Sequence, residues 1–221
     1  MHYELEDGVA IINLDDGKAN VVGPDLISFV NESLDRAEAG KATAILLRGR
    51  EGMFSAGFDL GEFQKGMTEG VAMVCGGLEL AIRLFGYPAP VIAACTGHGI
   101  AMGAFLLLTC DTRIGVRGDY KITLPETKIN MEIPSVLQAL CAARLSPRHM
   151  TQAVVQAVVY SPDEAVEVGF LDRVVDAQEL DEVAIATAVE LGGLPQKFYA
   201  ANKLFTRQET LDTMREELKK T

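Results

Sequence analysis

The sequence runs to 221 residues, 48% of them hydrophobic, and its 31 acidic residues outnumber the 20 Lys and Arg to leave a net charge of −11. That length and apolar content suit one domain with a filled core, and that charge argues against a nucleic-acid backbone as the partner. No apolar run approaches the about 20 residues needed to span a bilayer, so a cytoplasmic protein without membrane contact is expected. The four cysteines, Cys75, Cys95, Cys110 and Cys141, stand far apart in apolar stretches without a C-x-x-C pair. They predict four reduced, buried thiols and no metal site.

Val9–Leu14 reads as a buried strand closed by the turn signal Asp15-Asp16-Gly17. A helix is predicted from Pro24, with Leu26, Phe29, Val30, Leu34 and Ala37 on one face and Gly40 as its stop. Thr43–Leu47 is a second strand, and a Gly-containing segment follows over Phe54–Gly61. Val71–Phe85 has helical character until Tyr87-Pro88-Ala89-Pro90 ends it, and Val91–Cys95 is a third strand. The pattern recurs as a Gly-rich turn at Gly97–Gly103, an apolar helix over Ala104–Thr109, and short strands at Thr112–Val116 and Tyr120–Leu124. Ser161-Pro162-Asp163-Glu164 has the form of a capping box, and Phe170–Val175 looks like the last strand. From Ala177 the periodicity is helical, broken at Gly192-Gly193-Leu194-Pro195, with a charged helix to Thr221. Such alternation implies an α/β core of buried sheet with helices outside.

Three stretches stand out in their order and spacing: Lys18-Ala19-Asn20, Phe54-Ser55-Ala56-Gly57-Phe58-Asp59-Leu60, and Gly97 through Gly103 to Cys110-Asp111. Together they resemble the enoyl-CoA hydratase/isomerase, or crotonase, family over nearly the whole chain. The resemblance implies a ClpP/crotonase-like α/β fold of repeated β-β-α units as a single domain over 1–221. Its α/β core would span about 1–175, and a helical assembly region, shorter than in many relatives, about 176–221. A homotrimer or a dimer of trimers is the expected assembly. The substrate would be an acyl-CoA thioester of fatty-acid or related metabolism, with no separate cofactor because CoA is part of the substrate.

The chemistry in such a site is carbonyl polarisation. A thioester oxygen gains negative charge when the α-carbon loses a proton, and two backbone N–H groups aimed at it stabilise the enolate. By the resemblance these are the N–H groups of Phe58 and Met102, although Ala101 and Met102 stand where relatives often carry glycine. Lys18, Ala19, Ala56, Asp59, Leu60 and Phe105 fall at substrate or CoA-contacting positions, with Lys18 on the phosphate or adenine side. Asp59 and Asp111 match positions that serve turns or helix ends.

The carboxylates decide the reaction. Hydratases of the family hold water between two glutamates, and here the first of those positions is Phe105 while the second is Glu126 in Leu124-Pro125-Glu126. One carboxylate suits removal of a proton from one carbon and its return to another. The run from Gly97-His98 to Pro125-Glu126 and Pro134 resembles mitochondrial-type Δ3,Δ2-enoyl-CoA isomerases, so Glu126 is the expected catalytic base. A hydratase and a non-catalytic acyl-CoA-binding homologue stay open as alternatives. Glu132 and Glu62 read as solvated charges and His98 as a satisfied loop histidine, with His2 and His149 on the surface.

Overall fold

Nine strands and eight α-helices follow one another in the computed structural model, which describes all 221 residues. Strands β1 (His2–Glu6) and β2 (Val9–Leu14) form an antiparallel hairpin, and helix α1 (Pro24–Ala39) leads to β3 (Ala44–Gly49). Three repeats then share one plan, in which a pair of strands precedes a helix. The pairs are β3 with β4 (Gly52–Ser55), β5 (Val91–Cys95) with β6 (Gly97–Ile100), and β7 (Thr112–Val116) with β8 (Ile122–Thr123). The helices that follow them are α2 (Leu60–Lys65) with α3 (Met67–Phe85), then α4 (Met102–Thr109), then α5 (Ser135–Arg144). Helix α6 (Pro162–Val168), strand β9 (Arg173–Val175) and helices α7 (Leu180–Gly192) and α8 (Gln196–Leu218) complete the chain.

The first strand of each pair joins a six-stranded sheet of order β1-β2-β3-β5-β7-β9, parallel beyond the hairpin, and the second joins a parallel sheet of order β4-β6-β8. Strands buried on both faces explain the unbroken apolar runs in the sequence. Ala10, Ile12, Ile45, Leu47, Val91 and Ala93 point into the main core, while Val9, Ile11, Ala44, Leu46, Ile92 and Ala94 point the other way. Helix α7 covers that second face with Leu180, Ala184 and Ala188 at a four-residue spacing. One of the two helices in the region expected to serve assembly therefore packs on its own sheet. Helix α4 is apolar on every side, and all eight of its residues are buried.

A buried ion cluster fastens α8 to the core. Asp111 accepts from Lys203 at 2.6 Å and Arg207 at 2.7 Å, and from the Val91 N–H at 2.7 Å. Lys203 also donates to the Ala89 carbonyl at 3.1 Å and Arg207 to that of Phe85 at 2.8 Å. Asp111 thus has the structural role expected, as the anchor of a helix that arrives 92 residues later.

Several expectations need correction. The polar segment His2–Glu6, to which no element was assigned, is a strand because it pairs along its length with β2. Gly52–Ser55 and Gly97–Ile100 are strands because each finds a parallel partner in the small sheet. Cys75 is only half-buried, since it lies on the outer side of α3 while Met73, Gly77 and Leu78 face the core. Glu62 is not free in solvent: its side chain is 12% exposed and pairs with Lys65 at 2.6 Å. The capping box at Ser161 and Glu164 is present with both of its bonds.

Candidate active site

The three sequence stretches converge. Asn20, fully buried with φ 50°, is the joint between two of them. Its side-chain amide donates to the carbonyls of Met53 at 3.2 Å and Phe54 at 3.1 Å, and its own carbonyl accepts from Ser55 Oγ at 2.7 Å. The Ala56 N–H donates to the Ala19 carbonyl at 3.0 Å, and the Val22 N–H to that of Gly57 at 2.7 Å. Lys18 and Ala19 are thereby laid beside Ala56 and Gly57. Lys18 is exposed, and Arg50, whose Nε donates to the Lys18 carbonyl, brings a second cation to the same edge. No motif pointed to Arg50.

Gly57 adopts φ +95°, a left-handed conformation that favours glycine. A methyl group at Gly57 would meet Cβ of Ala101 at 2.8 Å and would lie 3.5 Å from the Met102 nitrogen, so the turns bearing Phe58 and Met102 abut. Gly103 approaches Ser55 closely, leaving only 2.2 Å between the place of an added methyl and the Ser55 carbonyl oxygen. Neither the Phe58 nor the Met102 N–H donates to a group within the chain. Met102 is the first residue of α4, where N–H groups lack helical acceptors and the helix dipole favours negative charge. Two free donors on adjoining turns make an arrangement suited to an oxyanion.

Ala101 holds the second turn at φ 50°, ψ −125°, a region in which a side chain is strained. Such a conformation costs about 1–3 kcal/mol in a residue other than glycine. Ala101→Gly should therefore raise stability by about 1 kcal/mol after the larger chain entropy of glycine is subtracted. A lower melting temperature in that variant would contradict the strain.

Glu126 opens the turn after β8 and is 7% exposed. The Ala101 N–H donates to the Thr123 carbonyl at 3.0 Å, which sets this segment beside the start of α4. Oε2 of Glu126 is buried with no hydrogen-bond partner, and burial pushes the carboxyl above the usual carboxylate range. The thiol of nearby Cys141 on α5 is pushed up to about 12 by burial, with the Glu126 charge adding to the rise. Below the turn, Lys128 Nζ holds the Ala157 carbonyl at 2.6 Å and Asn130 closes it at φ 58°.

The other candidates are distributed as follows. Asp59 caps α2 by accepting from the Gly61 N–H at 2.8 Å, and Leu60, 66% exposed, begins that helix. Phe105 lies within the core at 1% exposure. Glu132 is exposed. His98 lies on β6 rather than in a loop, and is satisfied there: it accepts at Nδ1 from the Lys121 N–H at 2.9 Å and meets the Tyr120 ring edge-on. No group of three or more His, Cys, Asp or Glu side chains is placed to hold a metal, and no helix is long and apolar enough to cross a membrane. A hollow of about 1080 Å³ runs along Leu204, Phe205 and Gln208 of α8, and Glu126 does not line it.

Residues 4–220 match the family model described as Enoyl-CoA hydratase/isomerase. The chain belongs to this family. Among its relatives is human mitochondrial enoyl-CoA delta isomerase 1, 27% identical over 207 residues, or 92% of this chain and 68% of the relative. Among solved structures, an enoyl-CoA isomerase from Mtb superposes with a TM-score of 0.94 at 36% identity over 99% of this chain and 95% of that one. An enoyl-CoA hydratase from Mycobacterium marinum does so equally, with a TM-score of 0.94 at 36% identity over 99% and 96%. The crotonase-like fold expected from the sequence is thus shown, and the chain is an enzyme of the enoyl-CoA hydratase/isomerase superfamily.

Proposed function

We propose that this enzyme shifts a double bond in an acyl-CoA, converting a 3-enoyl-CoA to a 2-enoyl-CoA. The observations that carry the reading are one buried carboxylate oxygen without a partner, on Glu126, and two free N–H groups on adjoining turns, their segments tied by the Ala101 N–H to the Thr123 carbonyl. Phe58 and Met102 would hold the thioester oxygen, so that charge released at the α-carbon settles where donors await it. Glu126 would take the α-proton and return it two carbons along, a task that needs one base rather than two. Phe105 supports this choice over hydration, because an apolar ring fills the core where a second carboxylate would have to hold water. Lys18 and Arg50 offer positive charge for the phosphates of CoA, with Ala19, Ala56, Asp59 and Leu60 along the same edge.

Calorimetry tests the substrate class. A 3-enoyl-CoA should bind while the free 3-enoic acid should not, and equal affinity for the two would overturn the reading.

The working unit in this reading is a homotrimer or a dimer of trimers. The outward face of α8 supports it, with Phe205 87% exposed and Phe198, seven residues before it on the same side of the helix, 66% exposed. Light scattering should report a multiple of the 23.8 kDa chain. A monomer at micromolar concentration would contradict this use of α8.

A further inference from the structure

Two glycines in succession, Gly76 and Gly77, sit inside the 19-residue helix α3. Each costs a helix interior about 1 kcal/mol relative to alanine, so the pair calls for a physical reason. An added methyl at Gly76 would meet only Ile27, at an ordinary 3.6 Å. Gly77 differs. A methyl there would stand 2.5 Å from Cε1 and 2.8 Å from Cζ of Phe58, and 3.8 Å from Cε of Met102. The two residues whose N–H groups adjoin in the candidate site therefore rest their side chains on one point of one helix.

We propose that Gly77 is a positioning residue for the oxyanion hole, setting the Phe58 amide through the aromatic ring packed on it and the Met102 amide through its terminal methyl. The inference rests on the reading of Phe58 and Met102 as the carbonyl donors. Phe58 belongs to a short segment held on either side by Val22, through the Val22 N–H to the Gly57 carbonyl at 2.7 Å and the Asp59 N–H to the Val22 carbonyl at 3.4 Å. A rigid ring on such a segment transmits displacement to its own backbone, and a shift of about 1 Å in a catalytic contact lowers rate by about 100-fold. The Met102 contact is softer, because a thioether chain can change rotamer. The Phe58 donor carries most of the effect.

The probe is 2,4-hexadienoyl-CoA, whose conjugated thioester absorbs at longer wavelength when its carbonyl is polarised, so it reports the donors without turnover. Wild-type protein is expected to shift its spectrum to the red. Gly77→Ala should lose most of that shift and slow double-bond migration by about 10- to 100-fold at a nearly unchanged KM. Leucine has no atoms at the Cε1 and Cζ positions, so Phe58→Leu with Gly77→Ala should recover shift and rate to within about threefold of Phe58→Leu alone. Should Gly77→Ala fail to fold, Phe58→Trp, which enlarges the ring against an unaltered helix, should reproduce the loss. A full shift in folded Gly77→Ala or in Phe58→Trp, or no recovery in the double variant, overturns the proposal. Wild-type protein that shifts the probe but moves no double bond contradicts the isomerase reading alone, and the variant spectra still decide the role of Gly77. An unchanged wild-type spectrum contradicts both.

Discussion

Glu126→Gln is expected to lower double-bond isomerisation by about 100-fold or more, the scale of general acid–base catalysis, while a 3-enoyl-CoA still binds. Glutamine keeps the shape of the side chain and removes the proton acceptor. Only the ionised carboxylate can act as the base, and burial holds the Glu126 proton more tightly than the ordinary value of 4.5. The acid limb of kcat/KM should therefore lie above that value and disappear in the variant. The same burial fixes the sign of a stability effect. For a carboxyl raised in the folded state, the unfolded chain releases its proton first as pH rises, so stability present below 4.5 is lost through the folded pKa. Glu126→Gln should consequently be the more stable protein at pH 7, by about 1 kcal/mol, with the difference closing toward pH 4. Thermal melts at the two pH values and initial rates on one preparation check both halves. Undiminished turnover would remove Glu126 from the mechanism.

Asp111→Ala is expected to be the most damaging single change away from the site. It leaves Lys203 and Arg207 facing each other with side chains 7% and 10% exposed and no anion between them. Removing one partner of a buried pair costs about 3–5 kcal/mol, on the order of 10 °C in melting temperature for a chain of this size. Lys203 already feels the burial, which lowers its amine to about 8 against the attraction of Asp111. Without Asp111 it should fall further. A base depressed in the folded state is more protonated when unfolded, so stability rises with pH between the two values. The deficit of Asp111→Ala should accordingly narrow from pH 6 to pH 8, as Lys203 sheds its charge. A deficit below about 1 kcal/mol, the range of exposed ion pairs, would show that the cluster does not anchor α8.

The parts legible in the sequence were those with local causes. Helix α1 announced itself through Pro24, its apolar stripe and Gly40, and α6 through the reciprocal cap at Ser161 and Glu164. Strands β2, β3 and β5 showed as apolar runs because both of their faces are buried. Strand β1 did not, since His2-Tyr3-Glu4-Leu5-Glu6 is an exposed edge whose only cause is the pairing with β2. Strand β6 reads as a turn from Gly97 and Gly99 and becomes a strand only between β4 and β8. For the candidate site, Glu126, Phe58 and Met102 were named through the family resemblance that motif order carries. Gly77 and Arg50 were not, because their reasons lie 19 and 32 residues away in Phe58 and Lys18.

On the proposed mechanism a lone carboxylate moves a proton between two carbons and adds no water. Purified protein supplied in separate reactions with a 3-enoyl-CoA and with a 2-enoyl-CoA, its products separated and weighed by mass spectrometry, tests this most directly. From the 3-enoyl-CoA an isomer of unchanged mass with its double bond at carbon 2 is expected, and from the 2-enoyl-CoA no hydroxyacyl product. Rapid formation from the 2-enoyl-CoA of a product heavier by one water, with no double-bond shift in the other reaction, would contradict it.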